Sequence, residues 1–192
     1  MALSRLFSRV FGDERPVEVW DWKYFRAPFG AESWVYESEG EIVAHAGGTI
    51  VELAGATPGA RAIQLVDFMS RPDFAGGIGA GSAFARATVA MFSEVCRNRA
   101  FRVAYGFPGE RHRLVGERIL GYRAAERVMD LVLDPIAADV EPVPLEETHL
   151  EMLEGDFGLG VRRSPAYLRW RYLDHPRYRY GVVTARSGPL GL

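Results

Sequence analysis

Apolar residues at the start of the chain recur with the period of an α-helix. They are spaced three and four apart and share one face, at Leu3, Leu6, Phe7, Val10 and Phe11. The opposite face carries arginine and serine. The pattern predicts an amphipathic helix that docks on a core. An organelle-targeting segment is the alternative, because arginine without acids also suits one.

The chain then alternates between strand and helix patterns. The expected elements are a short helix over 16–25, strands over 32–37 and 41–53 joined at Glu39-Gly40, a strand over 62–69, a helix ending near 97, a strand over 101–107, a helix over 110–120 and a strand over 127–133. The strand over 62–69 has few charges, so we expect it to be central and buried on both faces. This order predicts an α/β fold with a central mixed β-sheet flanked by helices.

The composition narrows the class of protein. Of 192 residues, 48% are hydrophobic and 25% are charged, and the net charge is −2. Such a chain is not disordered, and it lacks the run of about 18 apolar residues that a membrane-spanning helix needs. Its single cysteine, Cys96, excludes an intrachain disulfide. We therefore expect a cytoplasmic protein that binds neither membranes nor nucleic acid.

A self-comparison reveals a repeat in which equivalent positions are 148 residues apart. Its anchors are Trp22-Lys23-Tyr24, Pro28 and Gly40 in the first copy, and Trp170-Arg171-Tyr172, Pro176 and Gly188 in the second. A period of this length indicates a duplicated domain, since solenoid repeats are about 20–50 residues long. We expect a first domain over 1–135, an acidic linker over 136–160 and the start of a second, incomplete copy over 161–192.

The last segment, 161–192, carries seven arginines and a single acid, Asp174. A basic, aromatic tail is also typical of a nucleic-acid interface, but the repeat explains it as the opening of a second domain. Strands at 181–185 and 189–192 would have unpaired edges, so we expect them to join the first sheet or to mediate self-association. On this interpretation the chain is a truncated two-domain protein with at most one cofactor site.

A glycine-rich loop follows the expected central strand and leads into the longest helix. It comprises Gly76, Gly77, Ile78, Gly79, Ala80, Gly81 and Ser82. Glycines allow close approach of the backbone to a ligand, and a helix N-terminus attracts anions, so the loop predicts a phosphate site. A flexible loop that only caps the helix is the alternative. The loop lacks the lysine of a Walker motif and the spacing of a dinucleotide fingerprint.

These motifs resemble those of the GNAT superfamily of acetyl-CoA-dependent N-acetyltransferases over roughly residues 11–135. The matching blocks are Arg71-Pro72-Asp73-Phe74, Tyr105-Gly106-Phe107-Pro108 and Ile119-Leu120-Gly121-Tyr122. The resemblance implies acetyl-CoA as co-substrate, with loop N–H groups bound to its pyrophosphate. It also implies that the strand end at Phe68, Met69 and Ser70 pairs with pantetheine and faces the thioester carbonyl.

The chain departs from the GNAT pattern at two places. The first loop position, usually arginine or glutamine, is Gly76 or Phe74 depending on the register, and the tyrosine usual before the Leu-Gly step is Glu117. Two hypotheses therefore stay open. The first is an N-acyltransferase for a small-molecule amine or amino sugar. The second is a GNAT-like module that binds CoA, a peptide or a partner domain without turnover.

Two residues are candidates for proton transfer. Asp67 is a lone carboxylate in an apolar strand, where burial would raise its pKa and make it a base; a hydrogen-bonded structural aspartate is the alternative. Tyr105 ends the neighbouring strand and is the candidate donor to the departing thiolate, with core packing as the alternative. The four histidines show no pair at metal-ligand spacing, so we expect no metal site.

Overall fold

The computed structural model describes residues 2–74, 79, 81–97, 101–125, 143–153, 158 and 160–182. In chain order its elements are α1 (Ala2–Phe11), α2 (Val17–Tyr24), β1 (Ala31–Ser38), β2 (Glu41–Ala54), β3 (Arg61–Ser70), α3 (Ala83–Arg97), β4 (Phe101–Gly106), α4 (Glu110–Val115), β5 (Val143–Pro144), α5 (Leu150–Leu153), β6 (Gly160–Val161), α6 (Pro165–Leu168) and β7 (Gly181–Val182). A π-helical turn continues α4 over Gly116–Leu120 and another continues α6 over Arg169–Leu173.

The central sheet has the order β1-β2-β3-β4. β1, β2 and β3 are antiparallel neighbours, and β4 is parallel to β3. The turn between β1 and β2 uses Glu39 and Gly40, whose φ angles of 53° and 77° suit a two-residue hairpin turn. The expected fold, a mixed central sheet flanked by helices, is confirmed. β3 is central as expected, but it is not buried throughout: Ala62, Ile63 and Met69 are buried, and its other residues are half-buried.

Helices cover both faces of the sheet. Helical spacing predicts a buried stripe of Phe84, Thr88, Met91 and Val95 on α3; the last three are buried against one face of the sheet, and Phe84 is half-buried. The other face is covered by α1 and α2, whose Phe7 and Trp20 pack with Met69 of β3. The amphipathic helix α1 therefore docks on the core. The helix expected over 110–120 is also confirmed, and Gly121 ends it with a left-handed φ of 72°.

The acidic segment 136–160 is described over 143–153 and at 158 and 160, and there it is more than a solvated connection. Glu146 and His149 form a capping box at the 3-10 turn Glu147–His149, and Leu150 of α5 is buried. β6 pairs with the end of β2 and so extends the central sheet.

The last strands do not follow the expected arrangement. Gly181–Val182 does not join the central sheet; it pairs with β5 in a separate two-stranded sheet. Its edge is therefore not left unpaired, and self-association stays a prediction. The strands expected over 127–133 and 189–192, and the end of the one expected over 181–185, lie outside the described residues.

Trp22 and Trp170, equivalent anchors of the repeat, contact each other directly. Their rings stack with centroids 4.9 Å apart. Trp22 Nε1 donates to the backbone oxygen of Trp170 at 2.7 Å, and Trp170 Nε1 donates to the backbone oxygen of Trp22 at 2.9 Å. Reciprocal contacts between equivalent residues are what a local twofold axis produces. The duplication stays a prediction, and this contact supports it.

Candidate functional site

β3 extends past the end of β4 at one end of the central sheet, and we call the space beside its unpaired residues the opening. Their last paired residues are Leu65 and Gly106. β3 continues to Ser70, whereas Pro108, which has no N–H group to donate, follows the end of β4. Beyond Leu65, one side of β3 therefore has no strand partner in the described parts of the chain. An extended ligand can pair with a free strand edge of this kind.

A β-bulge lies at this opening. Where β2 has one residue between two paired positions, β3 has two, Asp67 and Phe68. Asp67 has a φ of 53°, a left-handed conformation that aspartate tolerates better than most residues. The contacts of the two side chains show that the bulge directs them to opposite faces: Asp67 contacts α2, and Phe68 contacts α3 and α4.

The Asp67 carboxylate is buried and binds three side chains. Arg15 Nη1 lies 2.6 Å from Oδ1, and Lys23 Nζ lies 3.0 Å from Oδ2. The Tyr24 hydroxyl donates to Oδ2 at 3.0 Å. Arg15 precedes α2, and Lys23 and Tyr24 end it, so these contacts attach α2 to the bulge.

These partners decide the pKa of Asp67. Burial acts to raise it, but the charges of Lys23 and Arg15 outweigh burial and lower the pKa below the ordinary value of 3.8. The expectation of a raised pKa is therefore wrong. The sequence does not show the reason, because Lys23 and Arg15 are 44 and 52 positions away from Asp67. A carboxylate paired in this way is a weak proton acceptor, and its role as a base stays a prediction.

His45 fixes the backbone of the bulge. It is fully buried in β2, and its Nδ1 lies 2.7 Å from the backbone oxygen of Asp67, so Nδ1 carries a proton and donates it. Nε2 lies 3.0 Å from the Ser33 hydroxyl and accepts from it. Burial lowers the pKa of His45 despite the opposing effect of Asp67, so the ring is neutral at pH 7.

On the other face, four aromatic rings pack together where β3, the first turn of α3 and α4 meet. The His112 ring of α4 meets Phe68 edge-on at a centroid distance of 5.2 Å and Phe84 at 5.5 Å. The Tyr122 ring lies 5.9 Å from His112. We call Phe68, Phe84, His112 and Tyr122 the aromatic cluster.

Within the described part of the chain, two polar atoms of the aromatic cluster are buried without a hydrogen-bond partner: His112 Nε2 and the Tyr122 hydroxyl. Leaving such atoms unpaired costs about 1–3 kcal/mol each. Burial lowers the pKa of His112 and raises the pKa of Tyr122 to about 12, so both groups are neutral at pH 7. Sequence reasoning missed both residues, because an unpaired buried atom becomes visible only through packing.

The described part of the glycine-rich loop consists of Gly79, Gly81 and Ser82. The Ser82 hydroxyl accepts the N–H of Ala85 at 3.2 Å, and the Ser82 N–H donates to the Gly79 carbonyl at 2.9 Å. Ser82 is buried and caps the N-terminus of α3, and its predicted role in ligand binding stays a prediction. Gly81 is exposed, with open space around its α-carbon. The other loop residues lie outside the described residues: Gly76, Gly77, Ile78 and Ala80.

The strand-end residues divide between the two faces. Phe68 contributes its ring to the aromatic cluster. The Met69 side chain is buried in the α1–α2 core, which leaves only its backbone for a ligand. Ser70 ends β3 and pairs with Ala44 of β2.

Tyr105 lies near the end of β4, in register with Gln64 of β3. Burial and Tyr167 raise the pKa of Tyr105 to about 12 against the opposing charge of Arg171, so its hydroxyl is protonated at pH 7. A protonated hydroxyl beside the opening is able to donate to a thiolate. Tyr105 and Asp67 share no hydrogen bond in the described residues, so the structure does not join the two candidates in one relay.

Two further features bear on the chemistry. Glu117, at the position where GNAT proteins often have a tyrosine, is paired with Arg113 at 2.9 Å. The described residues contain no group of three or more His, Cys, Asp or Glu side chains placed to hold a metal ion. Within the same residues, no helix is both long enough and apolar enough to cross a membrane.

Three solved structures are similar in fold to this chain. An acetyltransferase from Trypanosoma brucei is 22% identical with a TM-score of 0.49, over 69% of this chain and 92% of that one. A ribosomal-protein-alanine N-acetyltransferase from Brucella melitensis biovar Abortus is 16% identical with a TM-score of 0.44, over 69% and 89%. A protein from Clostridium acetobutylicum, described as a predicted acetyltransferase with acetyl-CoA, is 14% identical with a TM-score of 0.41, over 53% and 64%.

No protein-family model and no curated protein matches the chain. All three similar structures are acetyltransferases, the class that the sequence motifs resemble. At these identities and TM-scores the likeness concerns the general arrangement of the fold alone.

Proposed function

We propose that the chain is a GNAT-type N-acyltransferase that transfers the acetyl group of acetyl-CoA to an amine of a small molecule or an amino sugar. The observation that carries the proposal is the opening between β3 and β4. Its free strand edge beyond Leu65 offers backbone partners to an extended chain such as pantetheine. On the opposite face from Asp67, the buried His112 Nε2 and Tyr122 hydroxyl have no partner among the described residues, and in this proposal they pair with the ligand once it displaces the packing around them.

The loop before α3 supplies the rest of the co-substrate site in this proposal. Exposed Gly81 leaves the backbone accessible, and the N-terminus of the 15-residue helix α3 adds positive potential for the pyrophosphate. Gly79 belongs to the same site, and so do Gly76, Gly77, Ile78 and Ala80 as the resemblance implies. Ser82 contributes by capping α3.

The proposed reaction needs positioning more than an unusual functional group. The amine nitrogen attacks the thioester carbonyl carbon, so that a C–N bond forms and the C–S bond breaks. The Tyr105 hydroxyl gives its proton to the departing thiolate and regains one from the amine nitrogen through solvent. The products are an acetamide and the free thiol of CoA, and no metal takes part.

Asp67 has a separate place in this scheme. Because its carboxylate already binds Arg15 and Lys23, we assign it first to holding α2 on the bulge. The hypothesis that it is the general base is kept as a distinct proposal, since a base must be free to accept a proton. The two roles make different predictions for Asp67→Asn, which are given in the Discussion.

Ligand-induced stabilisation tests the proposal most directly. Thermal unfolding is measured with acetyl-CoA, CoA, ATP and NAD, and a ligand at 100 times its Kd adds about 2.7 kcal/mol. We expect acetyl-CoA and CoA to stabilise the chain and ATP and NAD to have no effect. Thiol release from acetyl-CoA is then followed over a panel of amines. Stabilisation by neither CoA species would contradict the proposal.

A second candidate function is a GNAT-like module that binds CoA or a partner without turnover. The Glu117–Arg113 ion pair favours it, because a paired carboxylate stands where the family often has its acid. Stabilisation by CoA with no thiol release from any amine would favour the module. Thiol release that depends on an amine would exclude it.

A further inference from the structure

His45 is a buried titratable residue to which the proposed reaction gives no role. Its ring lies between β2 and α2: the Tyr24 ring meets it edge-on with centroids 5.8 Å apart, and the Trp20 ring does so at 6.3 Å. Nδ1 donates to the backbone oxygen of Asp67 at 2.7 Å, and Nε2 accepts from the Ser33 hydroxyl at 3.0 Å. One donated and one accepted bond therefore hold a single tautomer of the ring in a single orientation.

The bond from Nδ1 sets the direction of one peptide unit of the bulge. The Asp67 carbonyl and the Phe68 N–H belong to the same peptide unit, and in a planar trans peptide these two groups point in opposite directions. The carbonyl points to the His45 ring, on the side of β2 and α2. The Phe68 N–H therefore points away from β2 and α2, toward the edge of β3 that β4 leaves unpaired.

The register keeps this N–H out of the regular pairing of the sheet. Asp67 and Phe68 are the two residues of β3 that have no opposite residue in β2, and β3 has no partner in β4 beyond Leu65. Asp67 also adopts a left-handed conformation with a φ of 53°, and backbone strain of this kind clusters at functional sites. The bulge thus offers the opening one backbone donor whose direction is fixed by a buried side chain.

We propose that His45 is a positioning residue for acyl transfer: through the Asp67 carbonyl it directs the Phe68 N–H at the thioester carbonyl oxygen, which the strand end faces as the resemblance implies. When the amine nitrogen attacks the carbonyl carbon, the C=O electron pair moves to oxygen, and the N–H stabilises the oxyanion by a hydrogen bond without giving up its proton. The electron pair then returns, and the C–S bond breaks. This inference rests on the proposed function.

Two substitutions of His45 that differ in where they place a donor test the inference. Asparagine carries its amide nitrogen on Cγ, as histidine carries Nδ1, whereas the amide nitrogen of glutamine is one bond further out. We expect His45→Gln to lower kcat about a hundredfold, the usual cost of a misplaced oxyanion donor, with the KM of the amine and the Kd of CoA unchanged. His45→Asn should recover about tenfold of this loss, because its donor again reaches the Asp67 carbonyl.

Val43→Ala is the control for lost packing. Val43 is buried in the same strand and belongs to the core that α3 covers, so we expect this variant to keep the kcat of wild type. A wild-type kcat in His45→Gln, equal losses in His45→Asn and His45→Gln, or the same loss in Val43→Ala would each overturn the inference.

The amide proton of Phe68 separates failure of this inference from failure of the proposed function. Its chemical shift is followed by NMR during titration with acetyl-CoA and with CoA, which lacks the thioester carbonyl. We expect a downfield shift that only acetyl-CoA produces, in wild type and His45→Asn but not in His45→Gln, with or without turnover. If acetyl-CoA binds and this proton does not respond, or responds equally in all three proteins, the inference is overturned and the proposed function stands. If neither CoA species binds, the proposed function fails, and the inference fails with it.

Discussion

The hydroxyl of Tyr24 occupies the space that a side chain at Gly47 would need. A Cβ at Gly47 would lie 2.2 Å from this hydroxyl oxygen and 2.9 Å from the backbone oxygen of Val66. The hydroxyl is the one that donates to Asp67. A missing side chain in β2 is therefore part of what allows α2 to reach the bulge.

Gly47→Ala should destabilise the fold by about 1–3 kcal/mol, because the added methyl group must displace Tyr24 or the β2–β3 backbone. Urea unfolding gives the free energy of unfolding. Gly81→Ala is the matched control, since no atom of the described residues lies within 4 Å of a Cβ at that position. Equal stability of the two variants would show that Tyr24 moves aside without cost.

Asp67→Asn should lower the free energy of unfolding by about 3 kcal/mol, because it leaves Arg15 and Lys23 without their buried anion. The pKa of Asp67 is lowered in the folded state, so its contribution is complete above about pH 4 and is lost as the pH falls through the folded-state pKa. Below pH 4 the free energy of unfolding of the wild type should therefore fall more steeply with decreasing pH than that of the variant.

The same variant separates the two roles of Asp67. A general base predicts near-normal stability and a large fall in kcat with a changed pH profile. Normal stability in Asp67→Asn would contradict the structural role, and a normal rate at every pH would exclude Asp67 as the base.

Tyr122→Phe should leave the free protein as stable as wild type or more stable, because it removes a buried hydroxyl that has no partner among the residues the structure describes. Its affinity for acetyl-CoA should fall about fivefold if that hydroxyl binds the ligand. Calorimetric titration measures the affinity. Tyr178→Phe, at a half-exposed ring, is the control. A loss of stability with unchanged affinity would place the hydroxyl outside the ligand site.

Tyr105→Phe should lower kcat about a hundredfold while the affinity for acetyl-CoA stays the same, since it removes a proton donor and little packing. The pKa of Tyr105 is raised to about 12, so the rate of wild type should not fall through this group below about pH 11. Stopped thiol-release assays across pH measure both effects. An unchanged kcat would leave Tyr105 with a packing role.

Local patterns were enough to predict most of the central sheet. The Glu39-Gly40 turn, the β3 strand and the helix that ends at Gly121 follow from turn residues and periodicity, which act over a few positions. The segment 143–153 was harder to predict, because its acids indicated exposure to solvent whereas Leu150 is buried and its helix α5 contacts α6.

The sequence was enough to single out candidate residues, but it did not show which side chains contact them. Asp67 and Tyr105 were found from their strand positions. The ion pairs that lower the pKa of Asp67 come from α2 and the loop before it. His112 becomes a candidate only because packing buries its Nε2 without a partner among the described residues. One signal was present in the sequence: the Trp-Lys-Tyr anchor that revealed the repeat contains two of the partners of Asp67.

The pairing of Trp22 with Trp170 also bears on the order of folding. Closing a loop of 148 residues before any other structure forms would cost about 4 kcal/mol of chain entropy. The β1–β2 hairpin closes through a two-residue turn and carries almost none of this cost. The tryptophans should therefore meet late, after the sheet has brought the distant parts of the chain together.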